Sequence, residues 1–471
     1  MRHLVPRALC LSTTLLLGLP ASAAGHTLTE RYEAPLPLVA HIAGAALAVA
    51  MSFAFVMLRT PRPPGGTSDG RPEPRTVPAW LRHTLSAIGL LAWAWILAQG
   101  LLGGAAPTGD VGYLFLWVYG WIGVALLSAV VGPAWAWLDP FSTLHRLLSA
   151  AGRRLGLLGE RPRYAPYPAR LAIWPAVVGF LVIVWLELVA FVLGGRMLAL
   201  LLLAYTLFTL AGMSYYGRAA WRANGEVFGV WFGLLGRLAP LRLIGEPEEG
   251  LVERRPFGAG LLRERWTVAQ VVLVAIGAAA IIYDGLSQTR PYFDLFGQLD
   301  LFGLPDVMTH TVVMLALLGL LAGMVLWVGR QVGLRPIGAG LLPVAVGYLA
   351  AHYIVALLVD GQAIVNAVND PWLRGDSLLP GPWSRFEPDL LVPISLVWSF
   401  QLAAVVGGHM LGAWTGHAAI EAGAETETPN GEAFEAPSGG RRLRREVVLA
   451  GLMIGLTTVT LWSLGQEVIV G

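Results

Sequence analysis

Apolar residues in this chain gather into unbroken runs, and short polar segments rich in arginine, proline or glycine separate them. Ten such runs cover approximately 36–58, 85–102, 113–131, 171–193, 197–215, 267–283, 307–328, 338–357, 390–413 and 447–464. A helix of about 20 apolar residues crosses a hydrocarbon core. No run alternates with the period of two that a barrel strand requires, so helices must satisfy the backbone. The expected fold is all-α: a polytopic integral membrane helix bundle of about ten transmembrane helices.

The first 23 residues have the layout of a cleaved secretory signal. Arg2 and Arg7 precede a short apolar stretch, Ala8 to Leu19, and Ala21-Ser22-Ala23 offers a small-residue cleavage site. Cleavage would start the mature chain on the outer side, and ten spans would return its C-terminus there. Arginine placement tests that count. The loops then expected in the cytoplasm (59–84, 132–170, 216–266, 329–337 and 421–446) hold 25 arginines, against five in the outer segments. A miscounted helix would invert this bias from that point on, and the positive-inside rule holds throughout. The expectation is a bacterial inner-membrane protein with a single transmembrane domain over 24–471. Its flexible inner segments would be 59–78 and 421–446. The stretch 226–241, with Phe228, Trp231, Phe232, Leu234, Leu235 and Leu238 around Arg237, reads as an amphipathic segment lying along the inner surface.

Composition narrows the chemistry. Hydrophobic residues make up 56% of the chain and charged ones 13%, far from a soluble domain, where about 25% are charged. A net charge of +2 gives no reason to expect a nucleic-acid partner. All 32 basic residues are arginines, which excludes Schiff-base chemistry. The single cysteine, Cys10, lies in the signal segment, so the mature chain has neither disulfide nor thiolate. Phosphate-loop, nucleophile-elbow and dinucleotide motifs are all missing. Glycines recur every four residues at Gly408, Gly412 and Gly416, and again at Gly319 and Gly323, a spacing that lets helices pack closely in lipid.

A charge at mid-membrane costs roughly 2.5–3.5 kcal/mol on insertion scales, so each ionisable residue in a span needs a reason. His41, Glu187, Asp284, Gln288, His310, His352, Tyr353 and Asp360 all map to a similar depth toward the outer side. Asp284-Gly285 and Asp360-Gly361 both stand where an outward-running helix emerges, and glycine there suits a sharply turning terminus. A carboxylate at that end opposes the helix dipole, which argues for a cationic partner: a metal, a protonated histidine or Arg290. Imidazole and carboxylate suit Zn²⁺ or a similar divalent ion. His41, His310, His352 and Asp360 are the candidate metal ligands, while Asp284, Gln288, Tyr353 and Glu187 are candidate catalytic groups. His409 reads as a packing histidine, and His83, His145 and His417 as solvated ones at the inner surface.

Several segments together resemble a family of bacterial membrane proteins, the fenitrothion hydrolase components. They are Pro35 to Leu38, Trp137-Leu138-Asp139-Pro140, Trp185-Leu186-Glu187-Leu188, Ala211-Gly212-Met213 with Tyr216-Gly217, and Asp284 to Gln288. Ala351-His352-Tyr353 with Gly361-Gln362, and Gly408-His409, complete the likeness over most of the mature chain. The resemblance implies a membrane-bound hydrolase component acting on a small lipophilic substrate, an aryl organophosphorus triester, with release of a nitrophenol. It also implies a second membrane subunit or a further copy as partner. Two other readings stay open: a transporter or ion-handling protein, and a non-catalytic partner subunit of a membrane complex.

Overall fold

The structure, a computed structural model, describes residues 38–58, 73–104, 109–159, 164–189, 195–296, 306–424 and 439–464. The expected signal segment and most of the segments 59–78 and 421–446 lie outside the described residues. In chain order the elements begin with α1 (Leu38–Leu58), β1 (Arg75–Thr76) and α2 (Ala79–Leu102), then a π-helical stretch (Tyr113–Val124) that runs into α3 (Ala125–Val130). Next come α4 (Trp135–Leu138), α5 (Pro140–Arg154), α6 (Trp174–Leu188), α7 (Gly195–Tyr216), α8 (Arg218–Asn224) and α9 (Val227–Leu235). The hairpin β2 (Leu241–Ile244) and β3 (Leu251–Arg254) leads to α10 (Ala259–Arg263), α11 (Val268–Ser287), α12 (Arg290–Phe296) and α13 (Asp306–Val332). Last are α14 (Leu334–Val359), α15 (Ile364–Asn369), α16 (Ile394–Ala424) and α17 (Gly439–Leu464).

Among the described residues, nine helical segments are long and apolar enough to cross a membrane. Each overlaps one of the runs picked out by hydropathy, and α1 fills the remaining position with an apolar stretch at Ile42–Ala54. The protein is therefore a multi-pass, all-α membrane bundle with very little sheet.

The chain divides into two compact units, one formed by 1–63, 264–352 and 392–471, the other by 64–263 and 353–391. In the first unit α11 is the central helix, with every residue from Val271 to Gly285 buried. Its start is fixed by a capping box: Gln270 N donates to Thr267 Oγ1 and Thr267 N to Gln270 Oε1. Helix α13 packs on α11, while α17 packs on α1, α13 and α16.

The glycine stripe of α16 does what its spacing predicts, and does it within the chain. A methyl group on Gly408 would lie 2.7 Å from the Pro343 carbonyl oxygen and 3.1 Å from Gly347 Cα, so only hydrogen fits between α16 and α14. Gly412 meets Gly340 in the same way. A methyl group on Gly319 or Gly323, by contrast, would meet nothing within 4 Å. Pro343 lies inside α14 and lacks the N–H that would bond the Ala339 carbonyl one turn earlier. Thr415 Oγ1 of α16 stands 2.7 Å from that carbonyl, nearer than its own-helix acceptor Leu411 O at 2.9 Å.

In the second unit, β3 pairs antiparallel with both β1 and β2. The stretch 226–241 does not lie along a surface, as its sequence suggested. Phe228, Trp231, Phe232, Leu234, Leu235 and Leu238 are all buried, and Arg237 with them. Helix α9 is apolar all round, which is the pattern of a helix enclosed by protein. Arg255 satisfies the carbonyls beyond its end, donating to Gly236 O at 2.7 Å and Ala239 O at 3.1 Å.

Candidate functional site

Asp284 and Gln288 lie one helical turn apart at the C-terminal end of α11, and His352 lies in the last third of α14. The fold of the first unit brings the three together. His352 Nε2 stands 3.0 Å from Asp284 Oδ2, and Gln288 Nε2 donates to Asp284 Oδ1 at 2.8 Å. Each carboxylate oxygen thus accepts one bond from a side chain. The Asp284 and His352 side chains are only 12% and 14% exposed, so their contact is largely shielded from water. The partner that Asp284 was expected to need is His352; Arg290 pairs instead with Asp294, at 3.8 Å.

One expectation about this end of α11 fails. The helix does not turn at Gly285 but runs on to Ser287, and neither Gly285 nor Gly361 adopts a positive φ. Asp284 sits inside the last turn because its side chain is bonded sideways to α14 and forward to Gln288, which lets the helix continue.

A second polar string lies beside it. Tyr283 OH is 3.1 Å from Tyr292 OH, and Tyr292 OH is 2.8 Å from His310 Nδ1. The Tyr292 and His310 rings stack with centroids 5.7 Å apart. Sequence reasoning found His310 but missed both tyrosines. Tyr283, adjoining Asp284 in a span, carried the only available signal, a polar tip on an otherwise apolar helix.

The remaining candidates belong to the second unit or have side chains outside the described residues. Tyr353 is half-buried and belongs to the second unit, as do Glu187, near the end of α6, and Asp360. Asp360 Oδ2 accepts from Tyr113 OH at 2.9 Å, and Tyr119 OH donates to the Gly361 carbonyl, which pins this turn to the π-helical stretch. The His41 backbone is helical, but its side chain lies outside the described residues. Among the described residues no three His, Cys, Asp or Glu side chains come together as metal ligands. His352 and His310 each direct a ring nitrogen at a hydrogen-bonding partner, Asp284 and Tyr292 respectively.

Two further ionisable clusters were not anticipated. His417, expected to be solvated, is fully buried. Its Nδ1 lies 2.6 Å from Glu446 Oε1, and its Nε2 lies 3.6 Å from Glu421 Oε1. Arg442 pairs in turn with Glu421. His409 is buried as expected, with Nδ1 2.8 Å from its own helix at Val405 O. In the second unit, Asp139 caps α5, accepting from Phe141 N and Ser142 N ahead of Pro140, a pattern legible as an N-terminal signature. Glu226 caps α9 and also accepts from Tyr205 OH at 2.7 Å and Trp135 Nε1 at 3.1 Å. Burial first, and the nearby Asp139 charge second, push the Glu226 carboxyl up to about 7.

The β2–β3 turn is clamped beside these carboxylates. Arg218 grips Glu248 with two bonds of 2.6 and 2.8 Å, and Arg146 adds a third at 3.1 Å. Trp137 Nε1 donates to Pro247 O at 3.0 Å, and Arg82 to the Glu248 carbonyl. The chain matches no family model, no curated protein and no solved structure, so the use of these sites has to follow from their own chemistry.

Proposed function

We propose that the protein is a membrane-embedded hydrolase that cleaves a neutral, lipophilic aryl phosphotriester, with His352 as general base. The observation that supports this is the Asp284–His352 contact of 3.0 Å, with Gln288 fixing the second carboxylate oxygen. A carboxylate facing Nε2 favours the tautomer with hydrogen on that nitrogen and leaves Nδ1 as the basic one. In the reaction, Nδ1 takes a proton from water while the water oxygen bonds to phosphorus and the bond to the aryl oxygen breaks. Asp284 stabilises the imidazolium formed. The products are a phosphodiester anion, the phenol and one proton. The Tyr283–Tyr292–His310 string lies close by in the chain and could protonate the departing phenolate.

A neutral triester partitions into lipid, and the arginine bias would put this end of α11 on the outer side of the inner membrane. The test is release of nitrophenol from an aryl triester by detergent-purified protein. General acid–base catalysis contributes about 10²–10⁴-fold, and His352→Ala should lose a factor of that size. Equal turnover in folded wild type and H352A, or none in the wild type with or without added divalent metal, would defeat the reading.

A further inference from the structure

The second unit contains a cavity of about 140 Å³ between α2, α5, α8 and the β2–β3 turn, with Arg82, His83, Thr143, Arg146, Arg222 and Glu248 among its walls. Pockets for drug-sized ligands run from about 300 to 1,000 Å³, so this one suits a group of only a few atoms. Three arginines line it, and one carboxylate-bearing residue. That carboxylate, Glu248, is already held by Arg146 and Arg218.

Arg222 is the group left with bonding capacity. Its Nη1 is buried and has no hydrogen-bond partner among the described residues. Its Nη2 stands 3.6 Å from Glu246 Oε2, too far for a good hydrogen bond, and Arg218 shares the same oxygen at 3.5 Å. Asp139, the other acid whose charge acts on Arg222, directs its lone pairs to Phe141 N, Ser142 N and the Ser142 hydroxyl. A buried guanidinium donor without an acceptor is costly, and a tetrahedral oxyanion supplies acceptors in the geometry a guanidinium fork matches. His83 and Thr143, whose side chains can donate hydrogen bonds, also line the walls.

We propose that this cavity binds a phosphate group, with Arg222 and Thr143 as its principal donors. The group could come from inorganic phosphate or from a lipid headgroup such as that of phosphatidic acid, and both present the same oxygens. None of these residues belongs to the Asp284–His352 cluster, so the inference stands apart from the hydrolase reading.

The full chain, stripped of lipid in detergent, should be titrated calorimetrically with inorganic phosphate at constant ionic strength. In parallel, native mass spectrometry should record retention of phosphatidic acid against phosphatidylcholine. Arg222→Gln and Thr143→Val serve as variants, the second leaving the ion pairs intact. Phosphate binding weakened at least tenfold in both variants assigns the site to the free anion. Selective retention of phosphatidic acid, weakened likewise in both, assigns it to a headgroup. Absence of both interactions in the wild type, or binding unchanged in T143V, overturns the proposal.

Discussion

Asp284 and His352 are 68 positions apart in sequence, yet their side chains meet at 3.0 Å. Removing either partner takes this contact from the other in a largely buried place, at a cost of about 1–3 kcal/mol. Asp284→Ala and His352→Ala should each lower the unfolding midpoint sharply, while the double variant should lose much less than their sum. Strict additivity in that cycle, measured by denaturation in detergent, would show that the pair is not formed.

Thr415→Val should destabilise the protein by about 1–3 kcal/mol, because it removes the donor that satisfies Ala339 O and leaves that carbonyl buried. Thr415→Ser keeps the hydroxyl and should restore most of the loss. Equal melting of T415V and wild type would mean that the carbonyl finds another donor.

Gly408→Ala places a methyl 2.7 Å from a backbone oxygen that cannot rotate away. Forcing an extra methyl into such a contact costs about 1–3 kcal/mol. The same substitution at Gly319, where nothing lies within 4 Å, should be nearly silent. Comparable losses at the two sites would argue against close approach of α14 and α16.

Glu226 makes stability depend on pH in a particular direction. Its carboxyl is raised from an ordinary 4.5 to about 7, by burial and then by Asp139, so the folded protein keeps a proton that the unfolded chain has lost between those values. Its contribution is fully present below about pH 4.5, declines as pH rises toward 7, and is constant above. Glu226→Gln should flatten that slope in unfolding midpoints; a slope unchanged by the substitution would place the titration elsewhere.

Glu248 acts the other way. Burial pushes its carboxyl up, but Arg218 and then Arg146 outweigh this and hold it below the usual range. The clamp therefore stabilises the fold above the ordinary carboxyl pKa and weakens as pH falls through the lowered one. Arg218→Gln should remove part of this acid-side loss; acid unfolding profiles superimposable with wild type would show that the turn is held by other contacts.

The spans were legible because a membrane helix announces itself locally, through about 20 apolar residues and the arginines that flank it. The sixth apolar run likewise begins at 267, where the structure places the capping box of α11. That Asp284 would need a partner was readable from its place near a helix C-terminus, but which partner was not, since His352 comes from a helix 68 positions on. The burial of His417 was hidden for the same reason: Glu446 follows a long polar segment, and nothing near His417 in sequence points to it. The stretch 226–241 misled because one arginine among aromatics imitates an amphipathic pattern, whereas the caps at Glu226 and Arg255 that enclose it lie at or beyond its ends.

Glycine stripes make helices smooth, and smooth helices can slide. The bond from Thr415 to Ala339 removes that freedom at one point, because Pro343 has left a single carbonyl of α14 with nothing of its own to hold. A shift of one turn between α14 and α16 would carry Thr415 about 5.4 Å past its target and strand the carbonyl in an apolar interior. The proline thus behaves as the notch of a key, and the threonine as the ward that admits only one alignment.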